Sequence, residues 1–265
     1  MLKNGSVIVG GTAMAYVAFG RGDKTLLVLP GLSDGLATVR GKAWLLAPPY
    51  RKYLRDYTVC LFSRKDALPE DCSIREMAAD QALAMERLGL EHAAVLGVSE
   101  GGMIAQYLAI DHPERVDKLI LAVTAPWANP TVRETVSGWI SMARRGDHRA
   151  LMRDTAEKMY TEKRLRSYRP LLPLLAAATK PADYARFLTN ARAILGFDAR
   201  GELSTIGCPT LILAGSEDRT VGAEAAAELK RAIAGSELYV YEGLGHGAYE
   251  EAKDFYDRVL AFCGR

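Results

Sequence analysis

The sequence predicts a three-layer α/β fold: a mostly parallel sheet covered by helices, with one inserted block of helices. Short β-rich runs alternate with helical patterns in the first half of the chain and again near its end. Continuously apolar runs, such as residues 26–29 and 119–121, are typical of strands that are covered on both faces. A chain of 265 residues can also bury one large core without dividing into separate domains.

Eight runs are predicted to form strands because each is short, apolar and rich in residues that favour β structure. Gly10 and Gly11 separate the first two runs, which are therefore expected to form a hairpin. The eight runs are residues 7–9, 13–19, 25–29, 58–62, 93–98, 118–123, 209–214 and 238–241.

Residues 74–88 are predicted to form an amphipathic helix, with apolar side chains recurring at helical spacing. Ser73 and Glu76 have the spacing of a capping box at the start of this helix. Gly89 follows the last apolar position and is expected to cap its end.

The segment from 126 to 205 contains no strand-like run and has prolines that interrupt several helical patterns. We predict a helical cap over these residues, inserted into a core formed by residues 1–125 and 206–265. The segment holds fourteen Arg and Lys residues against eight Asp and Glu residues. This excess of positive charge favours either an anionic substrate or an ordinary solvated helix face.

The overall composition does not favour nucleic acid or a membrane surface as a main partner, because the net charge is only +2. No apolar run approaches the length of a membrane span or of a secretory signal. The four cysteines and four histidines show no metal-ligand spacing, so the cysteines are predicted to be reduced thiols. We therefore expect a cytoplasmic protein with a small-molecule substrate and no metal or organic cofactor. The oligomeric state stays open.

Residues 97–101 match the pattern G-x-S-x-G, in which the serine occupies a sharp turn from a strand to a helix. An apolar strand candidate precedes Ser99 and a helical pattern follows it. Gly97 and Gly101 provide the small neighbours that such a turn requires. Ser99 is therefore the predicted nucleophile, with a glycine-rich turn holding an incidental serine as the alternative.

The predicted acid and base follow Ser99 in the chain order typical of this motif. Asp218 lies in the loop after one late strand candidate, and His246, flanked by glycines, lies in the loop after the next. His246 would deprotonate Ser99, and Asp218 would hold the imidazole in the correct tautomer. Glu217 is the neighbouring alternative acid. Other interpretations are a helix-capping role for Asp218 and a backbone hydrogen bond for His246.

Two backbone N–H groups are predicted to stabilise an oxyanion. One belongs to Glu100, directly after the nucleophile, and the other to Leu32 in the loop after an early strand. Pro30 in that loop has no N–H group and is excluded as a donor. The alternative is that this loop is an ordinary glycine-rich turn.

The run GVSEGGMIA at residues 97–105, followed by HPERV at 112–116, resembles the α/β-hydrolase superfamily. The resemblance implies an eight-stranded sheet with antiparallel first strands and a helical cap after the sixth strand. It suggests members related to esterases, enol-lactonases and haloperoxidases, whereas a serine at position 99 argues against the dehalogenase and epoxide-hydrolase branches. Pro30 replaces a histidine that is frequent in the early loop, and Glu100 places a charge beside the nucleophile.

The predicted function is hydrolysis of an ester, a lactone or a related small acyl substrate through an acyl-enzyme. Carbon–carbon bond hydrolysis, acyl transfer to an alcohol or thiol, and a receptor with vestigial hydrolysis remain as alternatives. The large side chains of the cap are candidates for the substrate pocket, with ordinary packing inside the cap as the other interpretation. These residues are Trp127, Trp139, Met142 and Tyr160.

Overall fold

A computed structural model describes all residues from 1 to 265 and contains one sheet of eight strands. The strands lie in the order β1-β2-β4-β3-β5-β6-β7-β8. β2 runs antiparallel to both of its neighbours, and every other pair is parallel. The strands are β1 (Leu2–Val9), β2 (Thr12–Gly20), β3 (Lys24–Leu29), β4 (Tyr57–Lys65), β5 (Ala93–Val98), β6 (Val116–Ala122), β7 (Thr210–Gly215) and β8 (Glu237–Tyr241).

The predicted fold class is confirmed, and each of the eight predicted runs overlaps one strand. The largest difference is at β1, which begins at Leu2 instead of residue 7. Its first half carries polar and exposed side chains, so it gives no apolar signal in the sequence. Backbone pairing extends it along the whole of β2, from Leu2 opposite Phe19 to Val9 opposite Thr12.

Helices flank the sheet and also fill the segment between β6 and β7. The predicted helix after β4 is present with its capping box at Ser73, and Gly89 beyond its end has a positive φ of 68°. The helices are α1 (Ala43–Leu46), α2 (Ile74–Arg87), α3 (Glu100–Asp111), α4 (Pro130–Arg144), α5 (His148–Met159), α6 (Glu162–Tyr168), α7 (Leu172–Thr179), α8 (Ala185–Leu195), α9 (Ala225–Ala232), α10 (Ala248–Glu251) and α11 (Phe255–Gly264).

The sheet separates two apolar clusters, one against each face. Leu27 and Val95 belong to one cluster, whereas their chain neighbours Leu26 and Ala94 belong to the other. Successive residues of a strand point to opposite faces, so a strand that is covered on both sides has no polar positions. This explains the uninterrupted apolar runs of the central strands.

Helices α4 to α8 occupy the region predicted to be a cap, and no strand lies between β6 and β7. An isolated antiparallel bridge between Trp127 and Asp198 joins the two ends of this segment. The segment therefore leaves the sheet at the end of β6 and returns to it at the neighbouring strand β7.

All four cysteines are free thiols; Cys60, Cys72 and Cys263 are buried, and Cys208 is partly exposed. Burial raises the pKa of Cys60, Cys72 and Cys263 to about 11 and also raises that of Cys208. None of the helices combines the length and the apolarity that a membrane span requires.

Candidate active site

Ser99 occupies a strained turn between β5 and α3, with φ of 54° and ψ of −118°. A non-glycine residue rarely adopts this conformation, so the surrounding packing must impose it. A Cβ atom at Gly97 would lie 2.4 Å from the carbonyl oxygen of Gly101, and one at Gly101 would lie 2.0 Å from that of Leu29. Both positions therefore require glycine, because the turn packs against its own helix and the end of β3.

The side chains of Ser99, His246 and Asp218 form one hydrogen-bonded row. Nε2 of His246 lies 2.9 Å from Oγ of Ser99, across 147 residues of sequence. Nδ1 of the same ring lies 2.8 Å from Oδ2 of Asp218. Both members of the His246–Asp218 pair are buried. This geometry allows a proton to pass from the hydroxyl to the ring while the carboxylate stabilises the resulting imidazolium.

Asp218 makes two kinds of contact, so its capping role and its contact with His246 coexist. Oδ1 accepts the backbone N–H groups of Thr220 and Val221 at 2.8 and 3.0 Å, which leaves Oδ2 for the imidazole. The neighbouring Glu217 is exposed, so the alternative acid points away from His246.

The remaining histidines lie elsewhere. His92 is exposed and pairs with Asp117 at 2.6 Å, and His148 is buried in the cap, where it contacts Thr179. His112 ends α3. No group of three or more His, Cys, Asp or Glu side chains is arranged to hold a metal ion.

The residues of the two predicted oxyanion donors lie beside Ser99: Glu100 follows it directly, and Leu32 lines the same cavity. Neither the Leu32 N–H nor the Glu100 N–H donates to a backbone oxygen in the turns, loops and helix caps of the chain. The loop before Leu32 packs directly on Ser99, since a Cβ atom at Gly31 would lie 3.3 Å from Cβ of Ser99. Two free donors beside Ser99 can bind a negative oxygen that develops during attack on a carbonyl group.

A cavity of about 240 Å³ opens onto Ser99 and His246. Fourteen of its twenty lining residues are hydrophobic, and none is Lys or Arg. Side chains of the cap form much of the wall, including Trp139, Leu151, Met159, Tyr160, Leu175 and Phe187. The positively charged side chains of residues 126–205 therefore do not line the cavity.

Only two of the four cap residues proposed from the sequence, Trp139 and Tyr160, line this cavity. Trp127 lies at the base of the cap, where its indole N–H donates to Glu228 and its ring stacks beneath Arg200. Met142 packs against the hydrophobic core instead of the cavity. The direction in which a cap side chain points depends on how the five helices pack together, which the sequence pattern does not define.

Sequence reasoning missed a residue that supports the turn at Ser99. The hydroxyl of Thr124 donates to the carbonyl oxygen of Ser99 at 2.7 Å. Val123, directly before Thr124, has a positive φ of 45°, which is an unusual conformation for a β-branched residue. A strained backbone is invisible in a sequence when no glycine marks it.

Glu100 is completely buried, although its N–H group faces the active site. Burial raises the pKa of its carboxyl group to about 7, Arg64 opposes this effect, and Asp34 adds to it. Nη2 of Arg64 lies 2.7 Å from Oε2 of Glu100, which is an ion-pair distance. The carboxyl group that the sequence places beside Ser99 is therefore directed into the protein, toward Arg64, and does not line the cavity.

Comparison with known proteins identifies the family. A family model described as the alpha/beta hydrolase fold matches residues 24–253 of this chain. The chain belongs to the α/β-hydrolase family. The predicted family and the enzyme class, a hydrolase, are thereby confirmed.

One relative of this hydrolase carries a general superfamily name, and another is named for a specific activity. It is 32% identical over 197 residues to the AB hydrolase superfamily protein YisY of Bacillus subtilis, covering 70% of this chain and 71% of the relative. It is 28% identical over 253 residues to RutD of a Caulobacter species, which is provisionally named a carbamate hydrolase. The match covers 86% of this chain and 87% of the relative.

Among solved structures, this hydrolase is similar to an enol-lactonase from Burkholderia xenovorans, with a TM-score of 0.83 and 22% identity over 98% of this chain and 100% of that one. This likeness shows the fold.

Proposed function

We propose that this protein is a serine hydrolase that cleaves uncharged esters or lactones through an acyl-enzyme. The observation that carries the proposal is the row of contacts from Ser99 through His246 to Asp218. Two further features support it: the strained backbone at Ser99 and the free N–H groups of Leu32 and Glu100.

The proposed first half-reaction forms the acyl-enzyme. Oγ of Ser99 adds to the carbonyl carbon of the substrate while its proton moves to Nε2 of His246. The Leu32 and Glu100 N–H groups hold the negative oxygen of the tetrahedral intermediate. When this intermediate collapses, the bond to the leaving alcohol breaks, and the alcohol oxygen takes the proton from His246.

The second half-reaction releases the acid. Water gives a proton to His246 as its oxygen adds to the acyl carbon, and the N–H groups again hold the oxyanion. Collapse breaks the bond to Oγ, and His246 returns the proton to Ser99. Asp218 stabilises the imidazolium in both halves and keeps the Nδ1 proton in place.

The size and lining of the cavity favour a compact apolar acyl group as the part of the substrate that binds there. Its volume of about 240 Å³ and its mainly hydrophobic wall suit a short to medium hydrocarbon chain or a small ring. The name of the RutD relative points to carbamate, a small polar anion. No Lys or Arg side chain lines the cavity to pair with an anion, so we do not extend that substrate to this chain.

We also propose that residues 126–205 act as a cap over a core of residues 1–125 and 206–265. Residues 126–205 contribute eleven of the twenty residues of the cavity wall, whereas the predicted triad comes entirely from the core. The chemistry and the choice of acyl group would then be encoded in different parts of the chain.

The test is hydrolysis of p-nitrophenyl butyrate by the wild type, Ser99→Ala and Ser167→Ala, the last removing an exposed hydroxyl on α6. We expect Ser99→Ala to lose about 10⁴- to 10⁶-fold in kcat while Ser167→Ala keeps wild-type activity. A fluorophosphonate probe should label the wild type at Ser99 and leave Ser99→Ala unlabelled. Retained esterase activity or labelling in Ser99→Ala would refute the assignment.

Three further measurements on the wild-type protein separate the alternative functions. An acyltransferase would form more acyl product than acid when an alcohol or thiol is added. A receptor would be stabilised by ligand without turnover. A carbon–carbon hydrolase would cleave a vinylogous diketone faster than an ester of the same size.

A further inference from the structure

Four charged side chains form a buried chain behind the predicted oxyanion hole. They are Arg186, Asp34, Arg64 and Glu100, and their side-chain exposures are 17%, 1%, 2% and 0%. Nη2 of Arg186 lies 2.6 Å from Oδ2 of Asp34, and Nη2 of Arg64 lies 2.7 Å from Oε2 of Glu100. A distance of 3.8 Å from Asp34 Oδ2 to Arg64 Nη1 links the two pairs.

The Asp34 end of this chain holds the turn that carries Leu32. Asp34 lies in the short 3₁₀ turn Leu32–Gly35, two residues after the predicted oxyanion donor. Its carboxylate accepts hydrogen bonds from the hydroxyl of Ser63 at 2.6 Å and from the backbone N–H of Arg64 at 3.0 Å. The end of β4 therefore fixes one side of the turn.

Arg186 fixes the other side of the turn, and it comes from the cap. It is in α8, and its guanidinium group donates to the Asp34 carboxylate, to the Asp34 carbonyl oxygen and, at 2.9 Å, to the carbonyl oxygen of Arg64. The backbone of α8 also packs on the turn, because a Cβ atom at Gly35 would lie 2.9 Å from Cα of Phe187. The turn is thus clamped between a core strand and a cap helix.

The Glu100 end of the chain reaches the second predicted donor. Glu100 is the first residue of α3, directly after Ser99, and its carboxylate faces Arg64 at the end of β4. Both predicted oxyanion donors therefore belong to residues whose local segments are held by the same four side chains. Separating a buried ion pair costs free energy, because each charge would then be left in the protein interior without a partner. The arrangement is therefore expected to be rigid.

We propose that Arg186 is a positioning residue, through which the cap holds the Leu32 N–H group in place for the transition state. The proposal rests on the proposed serine-hydrolase function. Arg186 does not line the cavity, so it is not a binding group for the substrate. Its effect is indirect: it fixes Asp34, Asp34 fixes the turn, and the turn fixes the donor.

This role predicts a specific kinetic pattern. Interactions that are made only in the transition state affect kcat, whereas the cavity wall affects binding of the ground state as well. Loss of Arg186 should displace the Leu32 donor and leave in place the fifteen of the twenty lining residues that lie outside residues 31–36 and Phe187. We expect Arg186→Gln to lower kcat by about 10- to 100-fold, with KM within about twofold of the wild-type value.

The experiment compares Arg186→Gln with Arg192→Gln, which removes an exposed arginine from the same helix. Kinetics with p-nitrophenyl butyrate give kcat and KM. Two inhibitors then separate the parts of the site: an alkyl boronic acid, which forms a tetrahedral anion on Ser99, and an ether with the same alkyl chain, which only fills the cavity. We expect Arg186→Gln to bind the boronic acid about tenfold or more weakly and the ether as tightly as the wild type.

Asp34→Asn and the double variant test the path from Arg186 to the turn. Because the two residues share the ion pair on which the proposal depends, their effects should not add, and the double variant should lose less activity than the product of the two single losses. Arg186→Lys retains one positive donor and should have a kcat between those of the wild type and Arg186→Gln. If Arg186→Gln does not fold, Arg186→Lys decides: a lowered kcat with normal ether binding supports the proposal, and a wild-type kcat refutes it.

Two results would overturn the proposal. One is a folded Arg186→Gln variant with wild-type kcat. The other is a parallel loss of ether and boronic acid affinity, which would mean that Arg186 merely supports the cap. Fluorophosphonate labelling of the wild type keeps this test separate from the proposed function: a protein that is labelled at Ser99, yet unaffected by Arg186→Gln, refutes only the role of Arg186.

Discussion

Asp218 holds His246 with one carboxylate oxygen while its other oxygen is committed to the turn that follows. The backbone contacts fix the carboxylate, so the imidazole is oriented by a group that cannot rotate freely. This arrangement connects a local feature, a turn after β7, to the orientation of a ring 28 residues further along the chain.

Asp218→Asn should lower kcat by about 10³- to 10⁴-fold, because an amide cannot stabilise the imidazolium and can favour the wrong tautomer. Glu217→Gln is the matched control, since it makes the same kind of change at the adjacent exposed position. Steady-state hydrolysis of p-nitrophenyl butyrate measures both variants. Equal losses in the two variants would contradict the assignment of Asp218.

Ser99→Gly should be more stable than Ser99→Ala by about 1 kcal/mol, because glycine adopts the backbone conformation of this turn without strain. Neither variant has a nucleophile, so activity plays no part in the comparison. Urea unfolding of the two variants gives the difference in the free energy of unfolding. A more stable Ser99→Ala would show that the turn stores no strain.

Leu175→Ala and Leu174→Ala form a matched pair on α7. Leu175 lines the cavity, whereas Leu174 is 69% exposed. Leu175→Ala removes three carbons from the wall, so the preferred acyl chain should become about two to three carbons longer. Leu174→Ala should keep the wild-type profile of kcat/KM against chain length. Identical profiles for all three proteins would place the acyl chain outside this cavity.

Glu100 should make the stability of the protein depend on pH. Its pKa of about 7 in the folded protein lies above its ordinary value of 4.5, so between these values the folded state binds a proton that the unfolded state has lost. Its contribution to stability is therefore complete below about pH 4.5 and is lost as the pH rises through 7. The charged groups that face it are Arg64, Asp34 and Arg186.

Glu100→Gln should reduce the fall in the free energy of unfolding between about pH 5 and 7, as measured with urea. Glu162→Gln is the control. The hydrogen bond from Arg169 lowers the pKa of Glu162 from its ordinary 4.5. The contribution of Glu162 to stability therefore has the opposite dependence on pH, and it is lost only as the pH falls below 4.5. An unchanged slope in Glu100→Gln would mean that the carboxyl group is ionised throughout this range.

Much of the architecture could be predicted because its signals are local. Covered strands are continuously apolar, and the turn at Ser99 requires glycines at fixed spacing, so both leave patterns in a few adjacent residues. The order of Ser99, Asp218 and His246 then places all three beyond the carboxyl ends of parallel strands, where they meet. Edge strand β1 extends beyond the prediction because backbone pairing needs no apolar side chains.

The rest of the site depends on contacts between distant segments. Trp139 faces the cavity and Trp127 does not, although both are aromatic residues of the same inserted segment. The contact between Arg186 and Asp34 joins residues 152 positions apart, and no motif relates them. Such features follow from how helices pack on the sheet, which a single sequence does not specify.

Three of the four native thiols are buried and Cys208 is partly exposed, so this protein offers a low thiol background for site-specific spectroscopy. Their high pKa values keep them protonated near neutral pH, and protonated thiols react slowly with maleimides. One cysteine introduced at an exposed position of α8, such as Arg192→Cys, would therefore accept a fluorophore or spin label selectively. The motion of the helix that carries Arg186 could then be followed during turnover without first removing the native cysteines.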